Sequence, residues 1–179
     1  QTDTARKLAA QKIRQQLSEK GIEVGRVKAA LPKGVKEHLE VVYARYDSRE
    51  LHLDLYTPVN RKKPSPAIVV VHGGGWLKGN KASFRSFAQA FAARGYVAAT
   101  IEYRLGGEAK FPAGIHDCNA AVRWLRANAA EYGIDPNRIA AVGGSAGGHL
   151  VGLMATASHL KELQGNGGNN KYSSALQAA

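Results

Sequence analysis

His72-Gly73-Gly74-Gly75-Trp76 and Gly143-Gly144-Ser145-Ala146-Gly147 each stand at the end of a short apolar run, and together they decide how this chain is read. Ile139 to Val142 leads into Gly143-x-Ser145-x-Gly147 and a helical pattern follows it. The segment therefore reads as a strand, a tight turn and a helix that lift a serine hydroxyl above a sheet. Glycines on both sides suit such a turn, because strand and helix backbones approach closely there. Upstream, the triple glycine after Val69-Val70-Val71 presents backbone N–H groups with no side chain in the way, which is what a developing oxyanion requires. A lone G-x-S-x-G is weak, since glycine and serine abound in loops. The two motifs together, each in strand context, point to one acyl-transfer site with Ser145 as its nucleophile.

A serine of this kind needs a histidine base oriented by a carboxylate, in the chain order Ser, acid, His. Beyond Ser145 there is no aspartate; the one acid is Glu162, and His149 and His159 both precede it. Base and acid are therefore expected from a complementary C-terminal segment carrying the Asp and the His. His149 falls one helical turn past Ser145, where an i, i+4 side chain runs along the helix and not over the serine. It is read as a hydrogen-bonded core histidine. His72 is expected to brace the glycine loop by hydrogen bonds, and His116 and His159 to serve as packing or surface residues. Asp117 adjoins His116, but neighbours on a helix do not face each other, so they form no acid–base pair. Glu102 and Arg104 are expected to make structural contacts beneath the site. For Trp76, lining a substrate pocket and packing the loop are equally weighted readings.

At 179 residues and 44% hydrophobic, the chain can bury a substantial core. The formal charge of +11 is scattered along it. Without an aromatic-interleaved basic stripe, a solvated surface is expected and nucleic acid is not a predicted partner. The most apolar strand, Ala67 to Val71, is far short of a bilayer span, so no membrane span is predicted. The single cysteine, Cys118, sits on an apolar helical face and reads as a buried thiol. No Cys/His ligand spacing is present, so neither a metal nor an organic cofactor is implied. The chain opens on Gln1 without a methionine, compatible with a removed secretory signal, and a secreted or periplasmic location is expected.

Residues 3–20 read as an amphipathic helix, within an N-terminal helical segment over residues 1–37. His38 to Tyr46 and Leu51 to Tyr56 read as a hairpin around Asp47-Ser48-Arg49-Glu50. From Ala67 onward strands alternate with helices, which implies a mostly parallel sheet in an α/β fold. Strands are expected at 67–71 and 96–101. One helix is expected at 83–94, with Phe84, Phe87, Ala88 and Phe91 on one face. A second starts with Pro112 in its first position and buries Ile115, Cys118, Val122, Leu125 and Ala129. Asp135-Pro136-Asn137 is read as a turn into the strand before Ser145, and the following helix as running to Leu160. Gln164 to Asn170 is a glycine- and asparagine-rich loop read as flexible. Ser173 to Ala179 resembles the approach to a further strand. The chain is thus expected to be the front part of a larger fold, with residues 38–179 forming the N-terminal part of the domain and its C-terminal part missing.

Taken together, Ala67 to His159 resembles the α/β-hydrolase serine esterases. The likeness is closest to the bacterial branch of acetyl-xylan and feruloyl esterases, and more distant to hormone-sensitive-lipase-like carboxylesterases. It is carried by the two glycine motifs, Glu102-Tyr103-Arg104-Leu105, Phe111-Pro112-Ala113, Trp124-Leu125-Arg126 and Tyr132-Gly133-Ile134-Asp135-Pro136. The resemblance implies an α/β-hydrolase fold, Ser145 as nucleophile, and an oxyanion hole of the Gly74, Gly75 and Ala146 N–H groups. It also implies a serine ester hydrolase acting through an acyl-serine on a small-molecule or polysaccharide ester, with acetyl groups of plant or algal polysaccharide as the favoured substrate. Two alternatives stand beside it: a non-catalytic hydrolase-fold binding module, and an amide or peptide hydrolase on the same fold.

Overall fold

The computed structural model describes residues 30–179, so the helix expected over residues 3–20 lies outside the described residues. β1 (Val35–Tyr46) and β2 (Arg49–Pro58) form the antiparallel hairpin, turning at Asp47-Ser48. β1 begins ahead of the expected His38, so a boundary between residues 37 and 38 would fall inside it. β3 (Ser65–Val71), β4 (Val97–Ile101) and β5 (Ile134–Gly143) complete a five-stranded sheet in the order β1-β2-β4-β3-β5. β2 meets β4 antiparallel, while β4, β3 and β5 run parallel. Helices α1 (Arg85–Ala93), α2 (Ala113–Ala127), the single turn α3 (Ala129–Tyr132) and α4 (Ala146–Thr156) flank this sheet.

β3 is apolar throughout because both its faces are covered. Ala67, Val69 and Val71 join the core against α2 and α4, while Ile68 and Val70 join the core against α1. Helices after β3 and β5 thus lie on opposite faces, and a crevice opens between the carboxyl ends of these two strands. Open α/β sheets place ligands in such crevices.

Several local expectations shift. Asp135 to Asn137 belong to β5: Ile134 pairs with Ser65 and Ile139 with Ala67, so the intervening residues bulge out of the ladder. An Asp135 carboxylate oxygen accepts the Asn137 N–H at 3.0 Å and supplies the local turn within that bulge. α4 ends at Thr156 and not Leu160. Pro112 stands just before α2, its carbonyl accepting the N–H groups of Ile115 and His116. In α1 the buried residues are Ala88, Gln89 and Ala92, whereas Phe87 is 57% exposed. The small alanines face the sheet, Phe84 and Phe91 pack half-buried against the same core, and Phe87 alone of the three phenylalanines turns outward. On α2, Ile115, Cys118, Val122 and Leu125 are buried as their spacing predicts, and burial pushes the Cys118 thiol up.

The loop from Gln164 is pinned. Along α2, His116 Nε2 donates to the Glu162 carbonyl at 2.8 Å and Asn119 Nδ2 to that of Leu163 at 2.7 Å. Arg123 donates to Gln164 and Gly168, and Arg126 to Pro136, Ser173 and Ala175. Apart from the Gln164 side-chain oxygen, which Arg123 Nη1 also reaches at 3.5 Å, the acceptors are peptide carbonyls. This row carries the chain to the free edge of β5, where Gln177 N–H donates to Ile139 O at 2.9 Å and Ala178 bridges Ala140 in parallel. The strand expected near Ser174 thus reaches β5 at Gln177-Ala178.

At the head of the sheet, β3 runs into His72, whose imidazole is 2% exposed and stacks on Tyr103 at 4.4 Å. Tyr103 Oη donates to the His72 carbonyl at 3.0 Å. His72 Nδ1 lies 2.8 Å from the Gly73 carbonyl. A carbonyl only accepts, so Nδ1 carries the hydrogen. The expected bracing role is what this geometry provides. Burial lowers the His72 pKa, against smaller opposing effects of the Gly73 hydrogen bond and of Glu102.

Two outcomes follow from these pins. Arg126→Ala removes charged donors worth about 1.5–3 kcal/mol each, so exchange of the Ala141 and Gln177 amides should accelerate by at least ~10-fold with little change in β3; unchanged exchange would show that the row is incidental. His72, with its folded pKa depressed, contributes stability that is complete above its unfolded pKa near ~6.5 and is lost as pH falls toward the folded value. His72→Asn keeps an N–H donor but does not titrate, so its unfolding free energy should gain on that of the wild type as pH drops from about 7 to 5. Parallel profiles in a urea titration would contradict the assignment.

Candidate functional site

The elbow is built by close backbone contact. β5 delivers Gly143 opposite Val71 in the parallel ladder, and the chain then turns through Ser145 at φ 55°, ψ −121° into α4. A β-carbon on Gly147 would lie 2.2 Å from the Val71 carbonyl oxygen, and one on Gly143 would lie 2.4 Å from the Gly147 carbonyl carbon. Only glycine permits helix and strand to close to this distance. Ser145 itself carries a β-carbon in a left-handed conformation, a strain of about 1–3 kcal/mol that the surrounding contacts must hold. It stands at the N-cap position without capping the helix, and its side chain is exposed. The hydroxyl is thus free to face outward.

The glycine loop lies beside it. Gly74, at φ 128°, fits only because it has no β-carbon, which would lie 1.9 Å from the Lys78 carbonyl oxygen. Its own carbonyl accepts the N–H groups of Leu77 and Lys78, at 3.3 and 3.1 Å, which folds the loop back on itself. Trp76 also takes a positive φ, of 60°. The N–H groups of Gly74, Gly75 and Ala146 find no protein acceptor among the described residues. Gly73, Gly74, Lys78, Phe84, Gly144 and Ser145 line an open cleft of about 480 Å³. An unsatisfied set of amides at the N-terminus of α4 and along the loop can stabilise negative charge on an oxygen bound there.

Trp76 is 46% exposed and meets the His149 ring edge-on at 5.3 Å. Both line a second hollow, of about 300 Å³, with Tyr103, Phe111 and Leu150. His149 is therefore exposed and packs against an aromatic ring; it is not the hydrogen-bonded core residue expected. Its backbone N–H continues α4 by donating to the Ser145 carbonyl, at 3.0 Å, which sets the ring one turn along the helix. Phe111, 72% exposed, enters the sequence reading only within Phe111-Pro112-Ala113 and not as a site residue, although a phenylalanine just before a helix-opening proline could mark a rim position.

The remaining polar residues fall into place beneath the site. Arg104 holds the fully buried Asp117 through its backbone N–H at 2.7 Å and its guanidinium at 2.8 and 3.1 Å, and its guanidinium lies 3.6 Å from the centre of the Tyr46 ring. Burial, then the nearby Asp117, pushes the Tyr46 phenol well up. Asp117 is thus committed to Arg104 and His116 to the Glu162 carbonyl. No described histidine is hydrogen-bonded to Ser145. Ligand atoms of Glu40, His52 and Glu102 converge within 4.8 Å. However, Glu40 pairs with Lys81, and Glu102 accepts the His52 N–H and faces Arg49, so the group is already balanced by protein charges.

A family model described as BD-FAE matches residues 53–179. The chain is 37% identical over 142 residues to carboxylesterase NlhH of Mycobacterium tuberculosis, covering 75% of this chain and 44% of that protein. It is 32% identical over 155 residues to an arylesterase of Saccharolobus solfataricus, covering 84% and 48%. The chain thus spans about half the length of these curated relatives. Among solved structures, the thermophilic esterase Est2 of Thermogutta terrifontis superposes with a TM-score of 0.70 at 35% identity, covering 86% of this chain and 54% of that one. Est2 has also been solved with butyrate bound and after phosphorylation by paraoxon. The match of the family model over residues 53–179, with the esterase superposition at a TM-score of 0.70, places this chain in the BD-FAE family, with the α/β-hydrolase fold.

Proposed function

We propose that the protein is a serine ester hydrolase. Ser145 Oγ attacks the ester carbonyl carbon as its proton passes to a histidine base, and the N–H groups of Gly74, Gly75 and Ala146 receive the charge developing on the carbonyl oxygen. The alcohol leaves with that proton, and water then releases the carboxylic acid and regenerates Ser145. The observation that carries this reading is Ser145, held at a positive φ at the head of α4, lining the same cleft as Gly73 and Gly74 of the glycine loop. The base and its acid are assigned to a complementary C-terminal segment. In support, His72, His116 and Asp117 are committed elsewhere and His149 packs on Trp76.

The same reading takes short acyl esters as substrates, with the Trp76 hollow receiving one side of the ester. The butyrate-bound form of Est2 and the carboxylesterase and arylesterase names of the relatives support it. Acetyl groups on plant or algal polysaccharide are the finer proposal, and that rests on the resemblance to the acetyl-xylan and feruloyl branch.

In the full-length protein, a fluorophosphonate probe should label Ser145 alone and p-nitrophenyl acetate should turn over. Ser145→Ala should abolish both, and labelling that persists in the variant would overturn the nucleophile. Acetyl esters, including acetylated xylan, should be cleaved faster than long-chain triglycerides; the reverse order would remove the substrate assignment. Trp76→Ala gives up an aromatic contact of about 1 kcal/mol, so KM for p-nitrophenyl esters should rise roughly fivefold. An unchanged KM would leave Trp76 as loop packing.

A further inference from the structure

The glycine loop ends at Asn80, and the next residue is a buried cation. Lys81 is 7% exposed and opens a short 3-10 turn, Lys81–Phe84, that leads into α1. Its ammonium donates to Asp54 Oδ1 on β2 at 3.0 Å and to the carboxylate of Glu40. Asp54 is fully buried and also accepts Arg85 Nη2 at 3.1 Å and the Glu40 backbone N–H at 3.1 Å. That N–H is available because Glu40 sits in an irregularity of the β1–β2 ladder at φ 55°, and such bulges re-aim residues next to sites. Both anions come from the hairpin, and both cations from the chain just after the loop. Burial works against the charge on Lys81, but its hydrogen bonds to Glu40 and Asp54 outweigh that and its pKa is raised. The ammonium therefore stays charged at neutral pH.

A buried ion pair is a poor source of net stability compared with apolar packing of equal volume. What this one supplies is position. Gly79, two residues before Lys81, packs so tightly under the loop that a β-carbon would lie 2.5 Å from both His72 Nδ1 and the Gly73 carbonyl oxygen. Phe84, at the other end of the same turn, presses on the elbow: a β-carbon on Gly144 would lie 2.9 Å from its ring. One short segment thus touches the loop that precedes it and the residue before Ser145, and Lys81 fastens that segment to the sheet.

We propose that Lys81, through its ion pair with Asp54, is a positioning residue that sets the glycine loop against Ser145, so that its contribution falls on turnover and not on substrate binding. The inference rests on the serine hydrolase reading. Oxyanion donors act only within a narrow distance window, and a misplacement of about 1 Å can cost on the order of 100-fold in rate.

The test uses the full-length protein with p-nitrophenyl acetate, each variant's active sites being counted by fluorophosphonate titration so that loss of folded protein does not register as loss of rate. Lys81→Met, which keeps the side-chain bulk and leaves Asp54 with Arg85, should lower kcat per site by about 10- to 100-fold with KM within about twofold. Lys81→Arg should restore most of it. Arg85→Met, which removes the other cation from Asp54 beyond the loop, should keep kcat per site within about threefold while lowering stability. Should Lys81→Met fail to fold, Glu40→Gln at the exposed end of the network serves instead, with kcat about threefold lower at unchanged KM. An unchanged kcat per site in Lys81→Met or in its substitute, or an equal loss in Arg85→Met, would overturn the inference while leaving the hydrolase reading intact. A wild-type protein with no titratable Ser145 would overturn both.

Discussion

The parallel pairing of β3 with β5 is the constraint on which the site depends. Val70 opposite Val142 and Val71 opposite Gly143 bring two strand ends level, so the chains that leave them must pass each other at van der Waals distance. One leaves as the glycine loop, the other as the elbow, and α4 closes over the Val71 carbonyl with only Gly147 between them. A one-residue slip would reverse the facing of every side chain along β5 and move Ser145 away from the loop amides. Buried Val69, Val70 and Val71 on one strand, with Ile139 and Ala141 on the other, hold that register by area; each large apolar side chain contributes roughly 1.5–3 kcal/mol.

That register also carries the strain. Ser145, Trp76 and Glu40 all take positive φ values, and all three lie on the loop, the elbow or the bulge that supports them. Strained residues persist where the surroundings over-determine them. Here the surroundings are two different kinds of contact. Under Ser145 it is backbone against backbone, permitted by missing β-carbons. Under the loop it is the His72 imidazole between Tyr103 and Gly79, neutral because it is buried.

Polar interior groups take a second, separable share of the work. Asp117 with Arg104 ties the start of α2 to the chain after β4, and Asp54 with Lys81 and Arg85 ties the hairpin to the chain after the glycine loop. Each buried carboxylate joins an element of the sheet or its helices to a connecting segment that apolar packing alone would leave free to slide. The donor row of α2 does the same for the chain beyond α4, using peptide carbonyls as acceptors.

The sequence by itself determined the order of strands and helices, the elbow at Ser145 and the glycine loop. These are written in local chemistry: apolar runs of strand length, helical spacing at Ile115, Cys118, Val122 and Leu125, and glycines where a backbone must approach another. It also marked His72 as a brace and Arg104 as a structural contact. The tertiary structure alone decided that His149 lies exposed against Trp76, that Phe87 turns away from the core while Ala88 and Ala92 face it, and that Asp135 to Asn137 bulge within β5. It alone paired Lys81 with Asp54 and laid Arg123 and Arg126 along the carbonyls of the C-terminal stretch. The physical reason is the range and anonymity of the partners. An ion pair between distant segments leaves no periodicity to read, and a peptide carbonyl is the same at every residue, so nothing in the sequence marks which one a buried donor will find.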